Sequence, residues 1–319
     1  MFTLLALMCL PVQSEEAFEK TTITLELPTT TIRACDPLLL RLRIDNGSNG
    51  TLIVDGCFPD EFKGNLHLEI RKKNEPQFRR IVLNDIVALR IGGKPMEIKA
   101  GQAIVAYEVI HRTGSMYYQT VNNFMIPSEG DYEFRVRWFR GEKSLTSPTV
   151  LLKVKPISAT QMKLVETSAV GTLANPARWG VMYYTRYIPR IEDAIKTEQA
   201  LTDCYAKTTL RWGLAIIQIQ SAKTPDDRKQ AEAHWQALRP TLDPVTGEAA
   251  DLMYALVLVH LRDYRKGQDV LDKIKNRSRA KENIQMWLDS RVSPEIPLPP
   301  PKEGIVPGSR RNPPRKDNG

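Results

Sequence analysis

The chain is poor in the residues that most often carry chemistry. Four histidines and four cysteines are scattered through 319 residues, and no C-x-x-C is present to hold zinc or run thiol–disulfide exchange. A glycine-rich phosphate loop, a dinucleotide fingerprint, an H-E-x-x-H pair and a nucleophile elbow are all missing, which removes the usual signatures of nucleotide, hydride and hydrolytic chemistry. His67, His111, His234 and His260 lack metal-ligand spacing, so neither a metal nor another cofactor is expected. The turn from Asp45 to Gly50 resembles the start of a calcium loop. Gly47, however, offers no side-chain ligand and Gly56 stands where a bidentate glutamate is required. Only an irregular loop site with Asp55, Asp60 and Glu61 remains open there, and a triad built from Ser115, His111 and an acid has nothing in the sequence to favour it.

Long apolar runs are lacking as well. Phe2 to Val12 is mostly apolar, but as a helix it would span only about 18 Å, too little for a hydrocarbon core of about 30 Å. No transmembrane segment is expected. The polar run that follows, from Gln13, gives residues 1–14 the order of a secretory signal, although only Met1 stands where a basic stretch is usual. The expected location is therefore secreted or periplasmic. The formal charge is +8, part of it in Arg310, Arg311, Arg315 and Lys316 near the end of the chain. With no basic stripe interleaved with aromatics along the sequence, nucleic acid is not an expected partner.

What the chain does have is a change of hydrophobic period at Lys155-Pro156. Before it, segments such as Tyr132 to Trp138, Leu38 to Ile44, Leu66 to Ile70 and Val150 to Val154 alternate apolar and polar residues, the pattern of half-buried strands. Turn clusters such as Ile91 to Pro95 separate them, and the set predicts an antiparallel β-sandwich over residues 20–156. Cys35 and Cys57 flank one expected strand and the Asn-Gly loop. In an oxidising compartment a bridge between them would close a loop of about 22 residues and contribute about 3 kcal/mol. Cys204 reads as a small buried hydrophobe on a helix.

Ser128-Glu129-Gly130-Asp131-Tyr132-Glu133-Phe134 resembles the turn and tyrosine that open a late strand in immunoglobulin-like sandwiches, and Cys35 to Asn46 is similar to an early strand of bacterial members of that group. The resemblance implies that the Tyr132 hydroxyl bonds back to the preceding corner. With Phe134 two residues on, the antibody-type disulfide is not expected. The fold so implied serves adhesion, spacing and ligand binding and selects no single function.

After Pro156 the period is helical, over an expected domain of residues 157–291. Ser158 and Gln161 have capping-box spacing. Arg178 to Tyr187 predicts a helix with Trp179, Tyr183 and Tyr187 on one face, either a binding surface or core packing. Leu201 to Ile219 and Arg228 to Leu238 predict a further pair, and Glu248 to Lys275 predicts a helical hairpin turning at Arg262-Asp263-Tyr264. Ala255, Tyr264, Gly267, Leu271 and Ile274 resemble the small and large positions of a tetratricopeptide repeat. Ala231, Trp235 and Leu238 echo three of them at an offset of 36, from 267 − 231, 271 − 235 and 274 − 238. That resemblance implies a surface that binds peptides or partner proteins. Residues 292–319 are proline-rich and basic, the composition of an extended, disordered tail.

The combined expectation is an exported, non-catalytic binding or scaffolding protein of the cell envelope that recognises a protein or peptide through its helical domain. Two alternatives stay open: a hydrolase of envelope polymers with an interdomain site, and a protease inhibitor acting through the loop Ile110 to Val121.

Overall fold

The computed structural model describes residues 15–54, 66–81, 96–110, 112–113, 123–124, 126–167, 191–202 and 204–291. The signal segment, Cys57, the loop acids Asp55, Asp60 and Glu61, His111, Ser115, the aromatics Trp179, Tyr183 and Tyr187, and the tail lie outside the described residues.

The N-terminal region is β-rich, with antiparallel sheets, and the C-terminal region is helical. After the short helix α1 (Glu15–Glu19), thirteen strands run from β1 (Thr21–Glu26) to β13 (Val150–Lys155) among the described residues. One sheet has the order β1-β3-β8, with β3 at Leu38–Asn46 and β8 at Ala103–Ile110. A six-stranded sheet has the order β2-β13-β11-β5-β6, with β12 (Lys143–Thr146) also paired to β11 (Gly130–Arg140). Its other members are β2 (Thr31–Arg33), β5 (Leu66–Lys72) and β6 (Arg79–Ile81). The β2–β13 pair is parallel. Two small ladders join β4 (Leu52–Val54) to β7 (Met96–Ile98) and β9 (Arg112–Thr113) to β10 (Asn123–Phe124).

Alternation decides what each strand buries. Leu40, Leu42 and Ile44 from β3 share a buried cluster with Leu68 and Ile70 from β5 and with Tyr132, Phe134 and Val136 from β11, while their odd-numbered neighbours face away from it. The longest departure from alternation among the described strands is β8, where Ile104 to Ile110 is buried at every residue. Its second face, with Leu39 of β3, is covered by helices: Leu39, Val105, Tyr107 and Val109 lie in one cluster with Leu252, Ala255 and Leu288. A strand covered on both faces reads as a continuous apolar run.

The helical region contains α2 (Ala159–Thr167), α3 (Ile191–Ala200), α4 (Tyr205–Ser221), α5 (Pro225–Leu238), α6 (Pro244–His260), α7 (Tyr264–Leu271) and α8 (Arg279–Ser290). The Ser158 hydroxyl accepts the Gln161 amide at 3.1 Å, and α5 starts with a complete capping box between Thr224 and Asp227. Helices α4 and α6 are apolar nearly all round because each separates two cores. Leu210 and Leu214 of α4 join the sheet cluster, while its Trp212 and Ile216 join Trp235 and Tyr254. Cys204 is buried but precedes α4 in extended conformation, so it is a helix N-cap rather than part of an apolar helical stripe.

The hairpin α6–α7 turns at Arg262, whose φ is +60°. Gly267 of α7 packs against α6: a β-carbon built there would lie 3.6 Å from the Ala255 carbonyl oxygen and 3.4 Å from Leu288 Cδ2. Those are ordinary contacts, so Gly267→Ala should fit and remove the backbone entropy cost of a helical glycine. We expect a gain of about 0.5–1 kcal/mol in urea unfolding; a loss would show the helix pair to be closer than these distances.

Candidate functional site

A grouping of partly buried polar side chains lies where β3 and β8 meet the helices. Register places Arg41 of β3 beside Glu26 of β1 and Tyr107 of β8. The Arg41 guanidinium donates to Glu26 at 2.5 Å and reaches Glu248 of α6 at 3.4 Å. Glu248 also accepts from Asn276 Nδ2 at 2.7 Å, and Arg43 holds Asp45 through three contacts of 2.5–3.0 Å. Burial works against the charge on Arg41, but its bond to Glu26 and its closeness to Glu26 and Tyr107 hold its pKa above the ordinary value. Burial pushes the Tyr107 phenol up, and the Glu248 charge adds to that. Among the described residues, Arg41 Nε, Tyr107 Oη and Glu248 Oε1 are buried without a hydrogen-bond partner.

Two further contacts fasten the same junction. The amide of Val105 donates to the Arg277 carbonyl at 2.8 Å, and Val105 forms a parallel bridge with Ser278, so the segment before α8 covers the edge of β8 at Val105. Arg277 then reaches the Glu97 carbonyl at 2.6 Å.

Asp36 makes the second fastening. It is 2% exposed and follows Cys35, which holds a left-handed φ of +67°. One carboxylate oxygen accepts from the Arg33 amide at 3.0 Å and from the Tyr205 amide, the first residue of α4, at 2.9 Å. Cys204 makes no side-chain cap bond to its helix, so a carboxylate from the β-region caps α4 instead. Burial raises the Asp36 pKa to about 6, against the pull of those amides. The native state therefore holds a proton that the unfolded chain releases near pH 3.8. Stability from this group is complete below that value and is lost as pH rises through 6, by about 3 kcal/mol in total. Asp36→Asn keeps an acceptor and cannot titrate. Its stability relative to the unsubstituted chain should rise between pH 4 and 6 and level off above, as read from urea midpoints; a difference independent of pH would exclude this origin.

Tyr132 donates its hydroxyl to the Ser128 carbonyl at 2.9 Å, four residues back. Of the histidines, His67 lies 4.7 Å from the Phe139 ring and His234 Nδ1 is 3.3 Å from Gln218. Nδ1 of His260 is buried without a hydrogen-bond partner among the described residues. The structure does not bring these three together with the junction acids in any contact described above, and among the described residues no group of three or more His, Cys, Asp or Glu is arranged to hold a metal. Sequence reasoning missed the Arg41–Glu248–Asn276 contacts, since residues 41 and 248 sit in different halves. Its one available signal was the pair Arg41 and Arg43 within the otherwise apolar strand Leu38 to Ile44.

No protein-family model matches this sequence, and neither does any curated protein. Among solved structures the chain is similar to a β-glucosidase from Erythrobacter marinus, at 11% identity and a TM-score of 0.26 over 42% of this chain and 16% of that one. It is also similar to the sporulation control protein Spo0M from Bacillus subtilis, at 8% identity and 0.27 over 48% and 56%. The C-terminal domain of Wzt gives 8% identity and 0.25 over 44% and 75%. The chain thus spans about a sixth of the glucosidase and about half of Spo0M. Likenesses this slight carry no weight for fold or activity. No helix among the described residues is long and apolar enough to cross a membrane.

Proposed function

We propose that this chain is an exported, non-catalytic binding or scaffolding protein of the cell envelope. In this reading an immunoglobulin-like sandwich supports a tetratricopeptide-like helical region that recognises a protein or peptide. The observation that carries it is the junction: Arg41 reaches Glu248 and Asp36 caps α4 across the boundary between sheet and helices, with Glu26 and Asn276 holding Arg41 and Glu248 from either side. Side chains committed in this way serve rigidity, and a rigid frame lowers the ordering cost of holding a partner. The sandwich reading is supported by the buried cluster common to both sheets and by the Tyr132–Ser128 bond. The contact of Gly267 with Ala255 supports the repeat-like reading of α6 and α7.

On the helical side, Met286 of α8 is 57% exposed beside the partly buried Trp287, and a flexible thioether at a surface suits an adaptable apolar contact. The test is affinity capture from envelope extract with the full chain and with Met286→Asp, followed by identification of the retained protein and reconstitution with it. Retention by the first and loss of about tenfold in affinity by the second is expected. Equal retention by both would move recognition off α8, and turnover of envelope polymer by the purified chain would replace the reading with a hydrolytic one.

A further inference from the structure

The sheet face turned away from the core has a charge asymmetry that the sequence hides. Because Tyr132, Phe134 and Val136 point inward, Glu133, Arg135 and Arg137 point outward from β11, and Glu69 and Arg71 do so from β5. Arg71 pairs with Glu133 at 2.5 Å, and Arg135 and Arg137 share Glu69 at 2.6 and 3.6 Å. In these ion pairs of the described residues three guanidiniums thus meet two carboxylates. The two signs are also unequally shown: the arginine side chains are 27–33% exposed, the glutamates 10% and 14%. Solvent therefore meets mainly cation.

Aromatic rings fix the arginines in place. Arg71 and Arg135 lie 4.4 and 3.8 Å from the centre of the Phe78 ring, and Arg137 lies 4.7 Å from that of Phe139. Rings already covered by guanidinium are poor stacking platforms for bases. Pre-ordered guanidiniums suit planar carboxylates, and this face already binds two of its own in that way. Rows on one face of a strand recur about every 6.7 Å, and so do alternate side chains of an extended peptide.

We propose that this outward face of the six-stranded sheet docks an extended acidic peptide segment, whose carboxylates on alternate residues meet Arg71, Arg135 and Arg137. The proposal is independent of export and of recognition by the helices. It is tested with the full chain by fluorescence anisotropy, using a labelled peptide of alternating glutamate and threonine, with oligothymidylate and polygalacturonate as rival polyanions. Saturable peptide binding that weakens with salt is expected, with a loss of about tenfold in the variant combining Arg71→Gln, Arg135→Gln and Arg137→Gln. Among the described residues the one ion pair of Arg137 is the long contact to Glu69, so Arg137→Gln alone leaves the tight pairs intact and should still weaken binding about threefold. That single variant decides the matter if the triple one fails to fold. Unchanged binding in Arg137→Gln, equal or tighter binding of either rival polyanion, or loss only on neutralising Arg310, Arg311, Arg315 and Lys316 would overturn the proposal.

Discussion

Asn46→Ala should cost about 4 kcal/mol of folding stability, the largest loss we expect from any single polar truncation in the β-region. Asn46 ends β3, is 1% exposed and uses its whole amide. Nδ2 donates to the carbonyls of Gly50 at 2.8 Å and Ile98 at 2.7 Å, and Oδ1 accepts from the Ser48 amide at 3.0 Å and hydroxyl at 2.7 Å. One side chain thereby closes the turn after β3 and ties it to β7. Truncation takes this partner from the buried Ser48 amide and from the Ile98 carbonyl, while the Ser48 hydroxyl still reaches the Gly50 carbonyl at 3.2 Å; the desolvation cost of the stripped groups exceeds the small net worth of the bonds. Urea unfolding should show a lower midpoint at unchanged slope. Asn46→Asp keeps both acceptor contacts but turns two donors into an oxygen facing carbonyls, so it should lose nearly as much. If Asp were tolerated while Ala was not, shape rather than donation would be what the turn requires.

Glu248→Ala is expected to lose about 3 kcal/mol, because it strips a partner from Arg41 while leaving that guanidinium 14% exposed. Asn276 loses its acceptor at the same time. Replacing both members, Arg41→Met with Glu248→Leu, should restore most of the stability, since the pair's worth lies largely in not abandoning one charge. A double-mutant cycle in urea measures this directly, with a coupling of about 2 kcal/mol expected. Additive losses would mean that the two side chains act separately, with Glu26 alone sufficient for Arg41.

These two residues also show what could be read from the chain. The strands Leu38 to Ile44, Leu66 to Ile70, Tyr132 to Trp138 and Val150 to Val154 are found within β3, β5, β11 and β13, because each keeps one face to the core and the period of two survives. The capping signals at Ser158 and Thr224 are likewise local, and so is the turn at Arg262. By contrast, β8 was illegible as a strand: its run Ile104 to Ile110 is buried throughout, and a helix or a strand can both do that. The outward arginines form no stripe in the sequence, because β5 and β11 supply them from separate stretches and a third, at Phe78, supplies the ring beneath two of them. Asp36 as the cap of α4 was hidden for the same reason, being 169 residues from the amide it satisfies. Sequence periodicity reports what one segment buries; it does not name the segment that covers it.

The bridge from Ser278 to Val105 has a consequence for biosynthesis. A ribosome delivers β8 long before it delivers residue 278, and domains assemble as their parts emerge. Until then β8 offers bare amides and carbonyls along one edge and Leu39, Val105, Tyr107 and Val109 on one face, the combination that recruits foreign strands. The nascent N-terminal region therefore shows an apolar face and a strand edge until the helices emerge to cover them. A ribosome stalled before codon 278 leaves a product that is sticky rather than merely short.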